Sequence, residues 1–199
     1  MRILELGQNT PDWLFWRQAG LGASDAPVIM GVSPYKTPEE LWNLKKGFIE
    51  REKSNARQQR GHDLEPVAIS LYHRMRGVKT RPVCVIHEKY DWLRASLDGL
   101  SSDNQRILEV KCIKKEYHQM ALGGKVPEIY IPQVQHQLLT TGLKDLDFWC
   151  YSESSWFKSH ERVALVTVAP DVEYQQELFN REKEFWESLQ SESGLLSPV

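Results

Sequence analysis

Asp98, Glu109 and Lys111 are the residues whose types and spacing could do chemistry together. They lie in the segment WLRASLDGLSSDNQRILEVKC, where two strand-like runs flank a polar turn. In a strand, residues two apart face the same way. Ser96 therefore shares a face with Asp98 near the end of the first run, and Glu109 shares one with Lys111 in the second. If the two runs pair as neighbours, Asp98, Glu109 and Lys111 converge on one point. Two carboxylates on rigid strands suit a hard divalent cation such as Mg²⁺ or Mn²⁺ rather than zinc. A lysine beside them can orient or deprotonate a water, or neutralise charge growing on a phosphate. Ile107, Leu108, Val110 and Cys112 are apolar, so the two charges interrupt a buried type of strand, at a cost unless paired or metal-bound. The competing reading is an edge strand carrying a cross-strand ion pair. Glu65, in RGHDLEP, could add a third carboxylate; taken alone it is also what the N-terminal end of a helix dipole favours.

The elements that must position these groups are readable in outline. Thr10-Pro11 opens a short helix through Trp13, Leu14 and Arg17, and Gly20-Leu21-Gly22 ends it. Ser24 can cap a second short helix closed by Gly31, and Thr37-Pro38-Glu39-Glu40 opens a third that stops at Gly47. Residues 48–60 show no clear period and read as a loop or a mobile helix. Leu64, Ala68, Leu71, Tyr72 and Met75 recur at helical spacing, which predicts a helix over 63–76. Pro66 then belongs in its first turn, with Asp63 or Gly61 near the cap. Strand-like runs follow at Thr80–His87, Trp92–Leu97 and Arg106–Cys112. A helix at Tyr130–Thr141, strands at Leu146–Tyr151 and Val163–Val168, and a long charged helix at Val172–Leu189 complete the order, with a frayed tail over Ser191–Val199. Helices around a run of strands predict an α/β (α+β) fold: a central mixed sheet flanked by helices, with N-terminal helices and a long C-terminal helix. No break in composition divides the chain, so one domain over 1–199 is expected.

Composition narrows the function classes. Of 199 residues, 41% are apolar and 26% charged, which is globular. No apolar run is long enough to span a bilayer, and MRILELGQNTPDW lacks a signal-type apolar block, so a cytoplasmic protein with reduced thiols and no membrane partner is expected. The three cysteines, Cys84, Cys112 and Cys150, lie far apart, which disfavours a disulfide framework, a zinc finger and an iron–sulfur centre. The formal net charge of −2 argues mildly against nucleic acid, yet the charge is uneven. Lys45, Lys46, Arg51, Lys53, Arg57 and Arg60 cluster in one stretch, and acidic residues dominate 171–192. Such a chain can present one basic channel, or simply two solvated helix faces.

GASDAP, RGHDLE, ASLDG followed by LEVKC, and IPQVQHQL, in that order from about Trp13 to Leu138, resemble the lambda exonuclease family, also called YqaJ-type or alkaline exonucleases. These are phage recombination nucleases with the PD-(D/E)xK core. The proline of that motif's name is absent here, where Ser96-Leu97-Asp98 stands. The resemblance implies Mg²⁺-dependent 5′→3′ digestion of one strand of linear double-stranded DNA, with Mn²⁺ as a substitute ion. It further implies a 3′ overhang, a ring-shaped homotrimer threaded by DNA, and a single-strand annealing partner in a bacterial host cell. By motif, Glu65, Asp98 and Glu109 would bind metal with the backbone carbonyl of Val110, and Lys111 would act on the attacking water. Arg17, Ser24, Ser96 and Gln133 would match a pocket for the 5′-phosphate, with Gln135 as the alternative register for the last.

The residues themselves are compatible with those roles. Arg17 can grip a phosphate with two hydrogen bonds, although it also suits a helix-surface ion pair. Ser24 near a helix N-terminus has N–H groups beside it, although it also suits a simple cap. The seven tryptophans read mostly as core, with Trp13 and Trp16 the candidates to stack on DNA. His62 beside the proposed site reads as exposed, and Lys36 as a loop lysine or a backbone contact. Two other functions stay open: a restriction-like endonuclease on the same core, and a non-catalytic module that binds DNA ends or docks a protein.

Overall fold

The computed structural model describes residues 1–50 and 56–191, with the backbone alone at 57 and 58. The chain runs β1 (Arg2–Leu4), α1 (Pro11–Gln18), α2 (Ala26–Ile29), α3 (Pro38–Lys46), α4 (Ala56–Arg76), β2 (Thr80–Ile86), β3 (Arg94–Ser101), β4 (Arg106–Lys111), α5 (Lys115–Leu122), α6 (Ile131–Thr141), β5 (Asp145–Tyr151), β6 (Val163–Val168) and α7 (Val172–Gln190). The expected mixed sheet with flanking helices is present. Its six strands lie in sequence order, β4 beside β5 in parallel and every other pair antiparallel. A parallel pair needs a long crossover, and the segment carrying α5 and α6 supplies it. No helix is long and apolar enough to cross a membrane among the described residues.

The sheet is buried on both faces, which is why its central strands are so apolar. On one face Val83, Val85, Leu97, Ile107 and Phe148 pack against Val134 and Leu138 of α6. On the other, Leu108, Val110 and Trp149 pack against Ala68 and Tyr72 of α4. Alternate residues of β4 thus serve different helices, which leaves Glu109 and Lys111 on the α6 face. A third cluster joins α2 and α3 to the C-terminal helix through Leu21, Ile29, Leu41, Trp42, Phe185 and Leu189.

The structure corrects several sequence expectations. α4 starts at Ala56, not at residue 63, so Pro66 and Glu65 sit well inside it rather than in a first turn. Residues 56–60 carry good helix formers without apolar periodicity, so propensity rather than pattern marks that start. β3 continues past Leu97 to Ser101, which puts Asp98 inside the strand. The short β1 and the helix α5 carry too little pattern to be seen in the sequence. Ser24 does not cap α2: Asp25 is the cap residue, and its carboxylate accepts instead from Gly22 N–H at 2.9 Å. The same carboxylate pairs with Lys45 Nζ at 2.7 Å in a buried ion pair. Lys45 is therefore turned inward, while Lys46 stays exposed and donates its Nζ to the carbonyl of Leu189 at 3.1 Å. Arg51, Lys53, the Arg57 side chain and residues 192–199 of the tail lie outside the described residues.

Candidate active site

The geometry of the site originates in a break of the sheet. β2 and β3 pair regularly until Leu97 and resume at Leu100, and between those points β2 has one residue, Pro82, against Asp98 and Gly99. Two residues against one is a β-bulge, which bends a strand and re-aims its side chains. Pro82 suits that place because it has no N–H to give the ladder. Gly99 suits it because a Cβ there would stand 2.6 Å from Thr80 Oγ1 and 3.1 Å from Leu108 Cβ. β3 and β4 pair at Gly99–Leu108 and Leu100–Ile107 and then separate. Asp98 and Glu109 come next, at the mouth of the split. Asp98 Oδ2 accepts the N–H of Val110 at 2.8 Å, so a carboxylate stands where a strand partner would have been.

Glu109 is almost fully buried and is held from three sides. Lys111 Nζ lies 2.5 Å and Gln133 Nε2 2.6 Å from its Oε1, and Gln137 Nε2 lies 2.5 Å from its Oε2. Burial alone would lower the pKa of the Lys111 ammonium. The charges of Glu109 and Asp98 and the hydrogen bond to Glu109 outweigh it, and the group is held above its ordinary value. Burial pushes the Asp98 carboxyl well up, and the charges of Glu109 and Glu65 push the same way against Lys111 and the Val110 N–H. Glu65 faces the same pocket from α4; burial and the charge of Glu109 raise its carboxyl, while His62 and Lys111 oppose them. His62 is largely exposed, its Nδ1 3.9 Å from Glu65.

In the same pocket as the carboxylates, four residues interlock. Trp13 Nε1 donates to Ser96 Oγ at 2.8 Å, Arg17 Nη2 donates to Ser24 Oγ at 2.7 Å, and the Arg17 guanidinium lies 4.6 Å from the centre of the Trp13 ring. Each serine oxygen already accepts from an N–H, which leaves each hydroxyl hydrogen for an acceptor. Ser96 Oγ is also 3.9 Å from Cys84 Sγ. This wall of donors suits an anion.

One pocket of about 270 Å³ gathers Arg17, Ser24, Glu65, Ser96, Asp98, Glu109, Val110, Lys111 and Gln133. Gln135 lies elsewhere, bonded to Ala169, Asp171 and Gln175 around the start of α7, which leaves Gln133 as the residue at the pocket. The sequence reading missed Gln137, Gln8 and Asn9, while Trp13 and Trp16, its candidates to stack on DNA, line the pocket. Gln137 was within reach of that reading, because it stands one helical turn from Gln133 on the same face. Gln8, whose Nε2 donates to the carbonyl of Leu97 at 2.9 Å, had no signal, since nothing local links residues 8 and 97.

The donor set fits a hard divalent cation. Two carboxylates and the Val110 carbonyl are oxygen ligands. The Cys112 thiol, pushed up to about 12 by burial and the charge of Glu65, is no thiolate competitor. Mutual repulsion of Asp98, Glu109 and Glu65 is what a cation would relieve. Among the described residues no three His, Cys, Asp or Glu side chains are gathered closely enough to enclose an ion, and Glu109 is turned onto Lys111, Gln133 and Gln137.

Comparison with known proteins follows the same residues. The chain is 33% identical over 134 residues to the uncharacterized protein YqaJ of Bacillus subtilis (strain 168), covering 66% of this chain and 42% of that one. It is 27% identical over 165 residues to an uncharacterized protein of Acanthamoeba polyphaga mimivirus, covering 74% of this chain and 29% of that one. The chain thus spans less than half the length of either relative. Its fold matches the alkaline exonuclease LHK-Exo of Laribacter hongkongensis with a TM-score of 0.78 and 24% identity, over 91% of this chain and 93% of that one. It also matches a phage-related exonuclease from Haemophilus somnus 129PT, with a TM-score of 0.59 and 16% identity over 86% and 92% of the two chains. Residues 12–144, which include every residue named in the pocket except Gln8 and Asn9, match the YqaJ-like viral recombinase domain, and the chain belongs to that family.

Proposed function

We propose that this chain is a divalent-metal-dependent deoxyribonuclease that digests one strand of linear double-stranded DNA from the 5′ end and leaves a 3′ single-stranded overhang. The observation that carries this is the shared pocket: two carboxylates and a lysine at the split of β3 and β4, facing a wall of anion-binding donors. A metal site alone would serve any phosphodiester. The donor wall gives a reason to read an end.

In this reading Asp98, Glu109 and the Val110 carbonyl hold Mg²⁺, or Mn²⁺ in its place, with Glu65 the outer carboxylate. The ion, when bound, supplies Lewis-acid activation of a phosphoryl oxygen and a more acidic water. Lys111 acts on the attacking water, orienting it through a hydrogen bond from its ammonium. Gln133 and Gln137 hold the Glu109 carboxylate in place. Arg17, Ser24 and Ser96 take the terminal 5′-phosphate, which sets the bond to be cut against the carboxylates. The N–H of Gly22 takes no part in this, since the Asp25 carboxylate accepts it. The chain works as a ring-shaped homotrimer in the bacterial cytoplasm and passes its single strand to an annealing partner.

The test uses linear and closed circular duplex DNA with Mg²⁺. Degradation of the linear form alone is the expected result. Cutting of both forms would indicate an endonuclease, and cutting of neither a binding module.

A further inference from the structure

Past the end of β4 lies a second groove, of about 570 Å³, that the proposed chemistry does not use. It begins at Cys112, the residue after Lys111, and is walled by Arg60 of α4, by Lys114 and Lys115, and by the segment after β5 that carries Trp156. The Trp156 side chain is 76% exposed, an unusual place for so large an apolar surface. It is not loose. The backbone N–H of Trp156 donates to Ser154 Oγ at 3.3 Å, and the neighbouring Phe157 is buried against the His118 ring, 4.6 Å between centres. The anchored loop holds the indole out of the core. Lys115 Nζ covers one ring face at 3.9 Å. Lys114 is exposed and makes no ion pair among the described residues, while the groove's Glu153 is neutralised by Arg60 at 2.8 Å.

A flat aromatic held out of the core beside two ammonium groups is an arrangement that binds a single strand. A base of any kind stacks on the ring, and phosphates lie against the ammonium groups. We propose that this groove binds unpaired nucleotides of the DNA adjoining the cleft, with a base on Trp156 and phosphates at Lys114 and Lys115. The proposal rests on the nuclease reading only for the source of the strand.

The test measures fluorescence anisotropy of a labelled short oligo(dT) with the full chain in EDTA, where no hydrolysis occurs. Trp156→Ala should weaken binding about tenfold, within the range of one lost base stack. Trp156→Phe should restore most of it. Lys114→Ala should flatten the dependence of log K on log salt by about 0.7, the single-strand value for one phosphate contact. Neither exposed side chain supports the core, so melting temperatures should be unchanged. Absence of oligo(dT) binding by the wild type, or binding within twofold of wild type in both alanine variants, overturns the proposal. Failure of the nuclease reading is seen separately, as wild-type chain that leaves linear duplex intact in Mg²⁺ whatever its affinity for oligo(dT).

Discussion

At the scale of single residues, the proposed chemistry depends on three charges placed against one another at a cost. Asp98 and Glu109 repel, and Lys111 only partly compensates them. Lys111→Ala and Asp98→Ala should therefore abolish cleavage while folding and binding to DNA ends persist. A variant that keeps more than about a tenth of wild-type activity would lose its place in the chemistry, because tenfold is only about 1.4 kcal/mol of barrier. The donor wall makes a separate prediction. Arg17 with the Ser24 and Ser96 hydroxyls should make 5′-phosphorylated duplex ends at least tenfold faster substrates than 5′-hydroxyl ends. A charge-assisted hydrogen bond is worth about 1.5–3 kcal/mol. Arg17→Ala should erase most of that difference by slowing the phosphorylated end alone. Equal slowing of both ends would make Arg17 a general DNA contact and remove the pocket.

At the scale of elements, the bulge and the helix α6 position the site. Gly99→Ala would drive a Cβ to 2.6 Å from Thr80 Oγ1, where β2 and β3 are held together. A loss of about 1–3 kcal/mol of stability, read by urea denaturation, is expected for such overpacking. Cleavage should fall further than the lost folded fraction explains, because the bulge aims Asp98; activity in proportion to folded protein would show that the bulge is not what aims it. α6 is tied to α7 by a buried pair, His136 Nδ1 to Glu182 Oε1 at 2.6 Å, and to β3 by His136 Nε2 against the carbonyl of Arg94 at 2.8 Å. Both ring nitrogens face oxygens, an arrangement that favours the imidazolium form. Burial alone would lower its pKa; Glu182, with a smaller push from Asp25, raises it above its ordinary value. A raised folded-state pKa stabilises fully below the unfolded value of about 6.5. Above that, stability falls by about 1.4 kcal/mol per pH unit until the folded-state value is passed. Denaturation midpoints should accordingly drop as the pH rises above about 6.5, and Glu182→Gln should flatten that slope. An unchanged slope in that variant would mean His136 is neutral in the fold.

At the scale of the whole molecule, charge does not account for the proposed DNA binding. The net charge is −2, and of the six clustered cations, Lys45 is turned to internal partners and Arg60 pairs with Glu153. An enclosed ring, in which weak positive surfaces from several copies face one duplex, would answer this. Light scattering at micromolar protein should give about three times 23.1 kDa. A mass near that of one chain would contradict the trimer.

The sequence by itself determined the alternation of elements, because apolar periods of two and of about four residues are local and survive any packing. It also marked Glu109 and Lys111, since charge inside an apolar run stands out against it, while Asp98 followed from strand alternation and Glu65 from the motif it stands in. Tertiary structure decided what those residues face. Strand alternation alone does not aim Asp98; a bulge against Pro82 does, and the pairing that makes it joins strands far apart in sequence. The choice of Gln133 over Gln135 followed from which side of α6 meets β4, a matter of helix docking that two glutamines in one motif cannot express. The same holds for Ser24, whose partner became Arg17 once Asp25 and Lys45 had closed their own ion pair. Contacts between distant residues form when the core packs, and a linear pattern carries the propensity for them without naming the partner.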